Sequence, residues 1–400
     1  MNRNLRLLWT GQLVSQVGDA LLSAVLVFLA LSLGPDETSG TRAGLVQLAA
    51  TLPFLLFSAA AGGLADRLDR RRVMIGSDLA RAAILGAVPL LWWCGALSWP
   101  VLAAAAFANF TMSTAFGPAQ EALIPDLAEG RPLLRVNALF QTSIQVAMVA
   151  GMLLAAAFLG VGGEGGGTIG LMVALVGIDA LSFLASAACI AAIRPPPRAQ
   201  EPRPAAGSTH IGDVLRRPLF RVLLGLTAVD NLFIMGPAIV GSALLLRRTF
   251  GLGAGHLALF EACLAAGWFG GSLLVSRLGH RWPRGWTILV GMLLDGLTYV
   301  PFFWIRSYPL LCAAVFVHGL TIPLITVPRT ALVQERIPPE LRARAFSLVQ
   351  LTVRGCTSLS VFLTGILGDL IPAPALFLYA GIGAMVGVAG VLSRELREAR

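Results

Sequence analysis

Apolar residues in this chain gather in runs of twenty and more, and polar residues are confined to the stretches between them. A helix that crosses a bilayer needs roughly 20 mostly apolar residues. Twelve segments meet that requirement, near residues 7–33, 43–65, 73–96, 98–121, 134–160, 168–193, 219–246, 256–277, 285–304, 308–331, 344–368 and 374–393. They predict an all-α integral membrane protein with twelve transmembrane helices. Most connections are short, and Gly162-Gly163-Glu164-Gly165-Gly166-Gly167 and Ile371-Pro372-Ala373-Pro374 read as turns. The exception runs from Arg194 to Arg217, where Pro195-Pro196-Pro197 is followed by mixed Arg, Pro, Ala and Glu. That composition cannot bury a core and reads as a polar linker. It divides the chain into an N-terminal six-helix bundle (1–193), a linker (194–217) and a C-terminal six-helix bundle (218–400).

The two halves resemble each other. Ala122-Leu123-Ile124 leads through a charged loop to Arg135, Leu139 and Gln141, and Ala331-Leu332-Val333 leads to Arg344, Leu348 and Gln350, all at an offset of 209 residues. The same offset sets Asp126 against Glu335 and Gln145 against Arg354. A constant offset through loop and helix indicates two pseudo-symmetric repeats in parallel topology.

Composition agrees with the pattern. Apolar residues make up 56% of the 400 positions and charged residues 13%, against roughly 25% charged in soluble domains; mean hydropathy is +0.78. The net charge of +9 would suit nucleic acid, but the arginines sit in short loops, as they do where basic residues fix membrane orientation. Counted with the N-terminus inside, the outer loops hold only Arg42, Arg247, Arg248 and Arg306. This predicts both termini in the cytoplasm and a multi-pass protein of the cytoplasmic (inner) membrane. All 30 basic residues are arginine, which with the Ala and Gly richness hints at a GC-rich bacterial genome. Cys94, Cys189, Cys263, Cys312 and Cys356 lie in apolar runs without paired spacing and read as packing residues. The first apolar run is too long for a signal-peptide core and lacks a clear cleavage site, so no cleavable leader is expected.

The loop after the second span reads Gly62-Gly63-Leu64-Ala65-Asp66-Arg67-Leu68-Asp69-Arg70-Arg71-Arg72. It closely resembles the loop 2–3 motif of the major facilitator superfamily, Gly-x-x-x-Asp-Arg-x-Gly-Arg-Arg, with Asp69 where the family has Gly. The resemblance extends over the whole chain, to twelve spans, a six-plus-six division and a central linker. Physically, Gly62 and Gly63 let helices approach closely. Asp66, at a helix end, can accept bonds from amides at the start of the eleventh helix, and Arg70 can bridge to Asp126 at the end of the fourth. The resemblance implies that Gly62, Gly63, Asp66, Arg67, Arg70, Arg71 and Asp126 form a cytoplasmic latch, closed in the outward-open state. The matching loop of the second half, from Gly270-Gly271 to Arg281, has no equivalent Asp and should latch more weakly.

Two further stretches, Trp9-Thr10-Gly11-Gln12-Leu13-Val14-Ser15-Gln16-Val17-Gly18-Asp19 and Thr330-Ala331-Leu332-Val333-Gln334-Glu335-Arg336-Ile337-Pro338-Pro339-Glu340, resemble the macrolide-efflux and enterobactin-exporter branch. That branch implies export driven by proton antiport, by alternating access. Lysophospholipid transporters are similar in the first helix, so a lysophospholipid flippase or a small-solute uptake facilitator is the alternative within transport.

An ionisable group at bilayer depth costs roughly 2.5–3.5 kcal/mol on insertion scales, so it usually faces a cavity or a partner. Gln12, Gln16 and Asp19 share one face of the first helix, and a carboxylate at that depth is suited to taking up and releasing a proton. Glu261 in the eighth span and Asp230 in the seventh, roughly pseudo-symmetric to Asp19, are the other proton-coupling candidates. Arg354 in the eleventh span needs an acidic partner, for which Asp19, Asp230 and Glu261 qualify. Gln141, Gln145, Gln350 and Arg354 form one expected cavity layer, with Gln12, Gln16, Asn231, Phe233 and Trp268 as further substrate contacts; packing glue between helices is the competing account. Asp179 and Asp295 are expected to be structural, and Asp78 and Arg81 to pair locally near the inner end of the third span.

No HExxH, nucleophile elbow or paired His is present, and Walker motifs are absent. An enzyme or a membrane-embedded receptor is therefore disfavoured, and no cofactor or metal is expected; His318 has no second ligand in sequence. The expected partners are a small amphiphilic solute (drug, siderophore or secondary metabolite), protons and the lipid bilayer, with the protein acting as a monomer and binding no nucleic acid.

Overall fold

Backbone N–H and C=O groups in lipid must be satisfied within the protein, which long apolar segments achieve as helices. Every regular element among the described residues of the computed structural model is helical. The described residues are 2–128, 133–160, 169–194, 211–278, 282–386 and 393–398; within them the side chains of 58–67, 122, 133–135, 137, 138, 141, 211, 213, 278, 339, 340 and 343 lie outside the description. The long helices are α1 (Arg3–Ser32), α2 (Ser39–Arg67), α3 (Arg70–Trp93), α4 (Trp99–Ala128), α5 (Leu133–Leu159) and α6 (Ile169–Ala191). They continue with α7 (Pro218–Thr249), α8 (Ala254–Leu278), α9 (Arg284–Tyr299), α10 (Tyr308–Arg336), α11 (Pro339–Leu370) and α12 (Ala373–Met385).

Ten of these are long and apolar enough to cross a membrane. Of the other two, α4 has the length, 30 residues, but Asn109, Thr111, Thr114, Gln120 and Glu121 dilute its hydropathy. The apolar α12 is 13 residues long, and part of the span expected at 374–393 lies outside the described residues, as do the Gly162–Gly167 turn and most of the 194–217 linker. At the linker's end stands a short helix, Ile211–Leu215. Large apolar side chains cover the outer surface: Leu181 and Phe269 are each 63% exposed, as lipid-facing residues are.

The chain divides into two compact units, Met1–Glu201 with Leu252–Leu259, and Pro202–Gly251 with Phe260–Arg400. In the first, α1 packs on α5 and α6, α3 on α4 and α6, and α2 on α4. In the second, α7 packs on α11 and α12, and α9 on α10 and α12. Contact of α8 with α10 completes the set: a Cβ added to Gly319 would meet Leu264 O of α8, with Gly267 Cα 3.0 Å away. Each unit thus repeats the same helix pairings, and α4 and α10 start at Trp99 and Tyr308, 209 residues apart. Gly267 and Gly271 are spaced four apart on α8, and each would drive a Cβ into α10 backbone, the small-xxx-small geometry of close membrane helices.

Helix ends carry their own chemistry. The Asn2 side chain accepts from Leu5 N–H at 2.8 Å and caps α1. Gly95 and Gly160 take positive φ, 69° and 76°, just past α3 and α5, where a side chain would be strained. At four C-termini an arginine supplies donors for carbonyls that lack helical partners. Arg42, 2% exposed, reaches Leu31 O at 3.2 Å and Pro35 O at 2.5 Å past the end of α1. Arg71 donates to Ile190 O (2.9 Å) and Ala191 O of α6. Arg248 bonds Gly368 O and, at 2.8 Å, Asp369 of α11, and Arg217 reaches Arg336 O of α10 at 3.5 Å. In α7, the Ser360 hydroxyl of α11 accepts from Gly236 N–H (2.8 Å) and donates to Leu232 O (2.6 Å). It thereby stands between two groups that a regular α-helix would bond to each other, immediately before Pro237 and a wide π-type turn.

Candidate functional site

Among the described residues, each unit brings several ionisable groups together within its helices. In the first unit, Arg81 lies eleven residues into α3, roughly 16 Å from its start, so it sits in mid-helix and not near the inner end. Its partner also differs from the expected one. Arg81 Nη2 donates to Asp19 Oδ1 of α1 at 2.6 Å, and Nε to Asn109 Oδ1 of α4 at 3.2 Å. The Phe183 ring of α6 lies under the guanidinium, 3.8 Å from centroid to Cζ, a cation–π contact. Asp78, one turn away on Arg81's own helix, is 1% exposed, and neither of its oxygens has a hydrogen-bond partner among the described residues. The hydroxyl that faces it is that of Ser186 on α6. Asp179 of α6 is fully buried; its Oδ1 accepts from Ser182 at 3.0 Å while Oδ2 is unpartnered. Gly18 makes room for Asp179, because a Cβ at that position would overlap Oδ1.

In the second unit, Asp230 of α7 feels the charge of Arg329 on α10, whose Nη1 donates to Thr227 Oγ1 of α7 at 3.1 Å. Asp295 of α9 accepts from Thr321 Oγ1 of α10 at 3.0 Å and lies 3.5 Å from His318 Nδ1, with both side chains at most 3% exposed. The Thr298 hydroxyl is 3.0 Å from the same His nitrogen, and the Tyr299 and His318 rings are 4.1 Å apart. Asp295 and His318 therefore tie α9 to α10.

The remaining cavity candidates separate into exposed and packed residues. Gln16 donates to Gln12 Oε1 at 3.2 Å along α1. Gln145 on α5 and Gln350 and Arg354 on α11 are exposed on their helices; the side chain of Gln141 is outside the described residues. Asn231 and Phe233 are occupied in packing. Asn231 donates to Thr227 O at 2.8 Å and accepts from Thr357 of α11 at 3.4 Å, and Phe233 stacks on Tyr379 of α12 at 5.2 Å. Trp268 is half-buried beside the α8–α10 crossing. Glu261 of α8 forms no hydrogen bond or ion pair among the described residues, in a strongly apolar helix.

At the α3 end, Arg70 Nη1 is 2.8 Å from Asp126 Oδ2, the contact expected from the motif. The second unit has the counterpart, Arg284 to Glu335 at 2.7 Å, so the α9–α10 corner is clasped as the α3–α4 corner is. Asp69 accepts from Arg72 N–H at 2.9 Å as the N-cap of α3, which accounts for an Asp in place of the family's Gly. Arg71 is the α6 cap described above. Gly62, Gly63, Asp66 and Arg67 fall in α2 where side chains are outside the described residues. Both clasps are partly exposed, so Arg70→Ala or Arg284→Ala should lower stability by no more than about 1 kcal/mol, read from thermal unfolding in detergent.

The residues missed in sequence were Arg329 as the cation beside Asp230, Arg81 as the partner of Asp19, and Asn109 as the acceptor for Arg81. The signal for Arg81 was available: counting from the Asp69 cap places it in mid-span.

Comparison with known proteins gives the same architecture. The family model described as Major Facilitator Superfamily matches residues 8–306 and 231–399. Macrolide efflux protein A of Streptococcus pyogenes is 26% identical over 386 residues, 94% of this chain and 91% of that protein. The multidrug efflux pump Tap of Mycolicibacterium fortuitum is 26% identical over 381 residues, covering 90% and 89%. Among solved structures, a bacterial homologue of the iron transporter ferroportin in an inward-facing state superposes with a TM-score of 0.75 at 17% identity, covering 99% of both chains. The nucleoside transporter NupG gives 0.74 at 14%, covering 98% of this chain and 100% of that one.

Proposed function

The chain belongs to the Major Facilitator Superfamily, as a multi-pass membrane transporter resembling the macrolide-efflux branch, and on that premise we propose that it is a proton-driven exporter of amphiphilic small molecules. It works by alternating access in the cytoplasmic membrane, with twelve spans and both termini inside, α4 and α12 completing the set. The observation that carries export is the end-to-end likeness to two drug-efflux proteins, 94% and 90% of this chain. A match confined to one repeat would carry no such weight, because a transport cycle needs both.

Proton coupling is supported by Glu261. A carboxylate in an apolar membrane helix with no partner among the described residues is balanced by a proton or by a cationic ligand, and exchange between the two is antiport. Asp19 differs, since its charge is already met by Arg81. The Arg70–Asp126 and Arg284–Glu335 clasps, with Arg71 on the end of α6, serve as the cytoplasmic latch.

The experiment uses purified protein in proteoliposomes under an imposed pH gradient, offered a radiolabelled macrolide, an amphiphilic dye cation, a siderophore and a labelled lysophospholipid. Gradient-driven movement of at least one of the first three is expected. Movement of the lysophospholipid alone, or of none, overturns the reading. Glu261→Gln should reduce uphill transport to background while substrate exchange at zero gradient survives; unchanged uphill transport would remove Glu261 from coupling.

A further inference from the structure

Two of the five cysteines meet in the second unit. Helices α8 and α10 touch at a constant offset of 49 residues: a Cβ on Gly267 would strike Phe316 O, and one on Gly271 would strike Leu320 O. An unchanging offset means that the two helices run side by side in the same direction. One turn back along each helix, at the same offset, stand Cys263 and Cys312. Positions 263, 267 and 271 share one face of α8, and 312, 316 and 320 share one face of α10, so the register sets the two cysteines opposite each other. The side chains agree. The Cys312 thiol is in hydrogen-bonding contact with that of Cys263, and the Tyr308 hydroxyl, one turn earlier on α10, is in contact with the Cys312 sulfur.

Glycine makes the approach close. A Cβ on Gly319 of α10 would lie 3.0 Å from Gly267 Cα. A disulfide requires facing Cα atoms within about 7 Å, and a crossing at which backbone meets backbone provides this. The other three cysteines stand apart: Cys94 caps the end of α3, Cys189 lies against Gly11 of α1, and Cys356 is on α11. Cys263 and Cys312 are each half-buried, which leaves them within reach of a small reagent.

We infer that Cys263 and Cys312 form a dithiol site for two-electron oxidants of the peroxide class, which join α8 to α10 by a reversible disulfide. The two S–H bonds and the peroxide O–O bond break, the S–S bond forms, and two water molecules leave; each sulfur gives up one electron and one proton. No backbone rearrangement is needed, because the sulfurs already touch, and the Tyr308 hydroxyl orders the Cys312 side chain. The bond closes a loop that contains all of α9, so three helices otherwise held by close packing can no longer part, and the unfolded chain is restrained. Packing alone asks only for a small apolar side chain at each position and does not require the two sulfurs to be in contact.

The inference goes beyond the transport reading and does not rest on it, because its test reads thiols and not solute movement. Purified full-length protein in liposomes is treated with hydrogen peroxide and, in parallel, with copper–phenanthroline, then alkylated, digested and read by mass spectrometry. Cys263 and Cys312 should lose alkylation together, a linked peptide pair containing both should appear within single chains, and dithiothreitol should return both thiols. In Cys263→Ser, Cys312 should stay open to alkylation at the copper–phenanthroline dose that links the wild type, and Cys263 should do so in Cys312→Ser. If a serine variant fails to fold, the wild-type peptides alone decide. The pairing is overturned by one thiol blocked while the other is alkylated, by a link from either to Cys94, Cys189, Cys356 or a second chain, or by both thiols still free under both oxidants.

Discussion

Arg81→Ala should be the most damaging single substitution in the first unit, lowering stability by about 1–3 kcal/mol and abolishing transport. The guanidinium is bonded to Asp19 at 2.6 Å and Asn109 at 3.2 Å and is covered by Phe183. Truncation leaves Asp19 without its cation and Asn109 without its donor, next to the sealed carboxyls of Asp78 and Asp179. The cost comes from a stranded charge and a stranded acceptor, because breaking one side of a pair is worse than removing both. The double variant Asp19→Asn with Arg81→Ala should therefore unfold at a higher temperature than Arg81→Ala alone. Equal unfolding temperatures would show that lost packing, not charge, is responsible. Arg81→Lys should fall between, since a lysine keeps the charge but cannot serve Asp19 and Asn109 together from one planar fork.

The second large effect should come from Gly319→Leu on α10, where no charge is involved. A Cβ at Gly319 already meets Leu264 O and lies 2.9 Å from Trp268 N of α8. Those are backbone atoms of a neighbouring helix and cannot rotate aside. Ala should cost about 1–3 kcal/mol as overpacking, and Leu more, because α8 and α10 must separate along their whole crossing. Gly225→Ala on α7 is the control: its Cβ meets nothing within 4 Å, so the substitution should be neutral or stabilising by up to about 1 kcal/mol. Thermal midpoints of the three variants in one detergent decide it. A Gly319→Leu protein as stable as wild type would mean that the α8–α10 contact is not tight.

The outline of this protein was legible because lipid imposes a one-dimensional rule. A span must be apolar for about thirty ångströms, and hydropathy along the chain reports that directly. The rule falters at α4, where the buried Asn109 and Thr114 lower the mean, and at α12, which is short among the described residues. The corner contact of Arg70 with Asp126 was legible too, since both lie at helix ends where a loop motif sets the register. Partnerships at depth were not. Asp19 meets Arg81 because Gly18 and Gly151 let α1 sit close against α6 and α5, and nothing local to Arg81 announces a neighbour 62 residues away. The same limit applies to Asn231 and Phe233, which share a helix with Asp230 but face α11 and α12. Sequence spacing gives the face of a helix; which helix that face meets is decided by small residues elsewhere.

The arginine caps divide the lysine-free composition into two populations. Arginines that serve only to set net charge could be exchanged for lysine by a change of genomic base composition with little consequence. Those at the ends of α1, α6 and α11 bond two acceptors at once from one rigid fork, which an ammonium on a flexible stem does not reproduce. Mutational drift toward lysine should therefore stall at Arg42, Arg71 and Arg248 while passing freely through arginines that bond no carbonyl, so these three positions would stay arginine in descendants that had otherwise lost the bias.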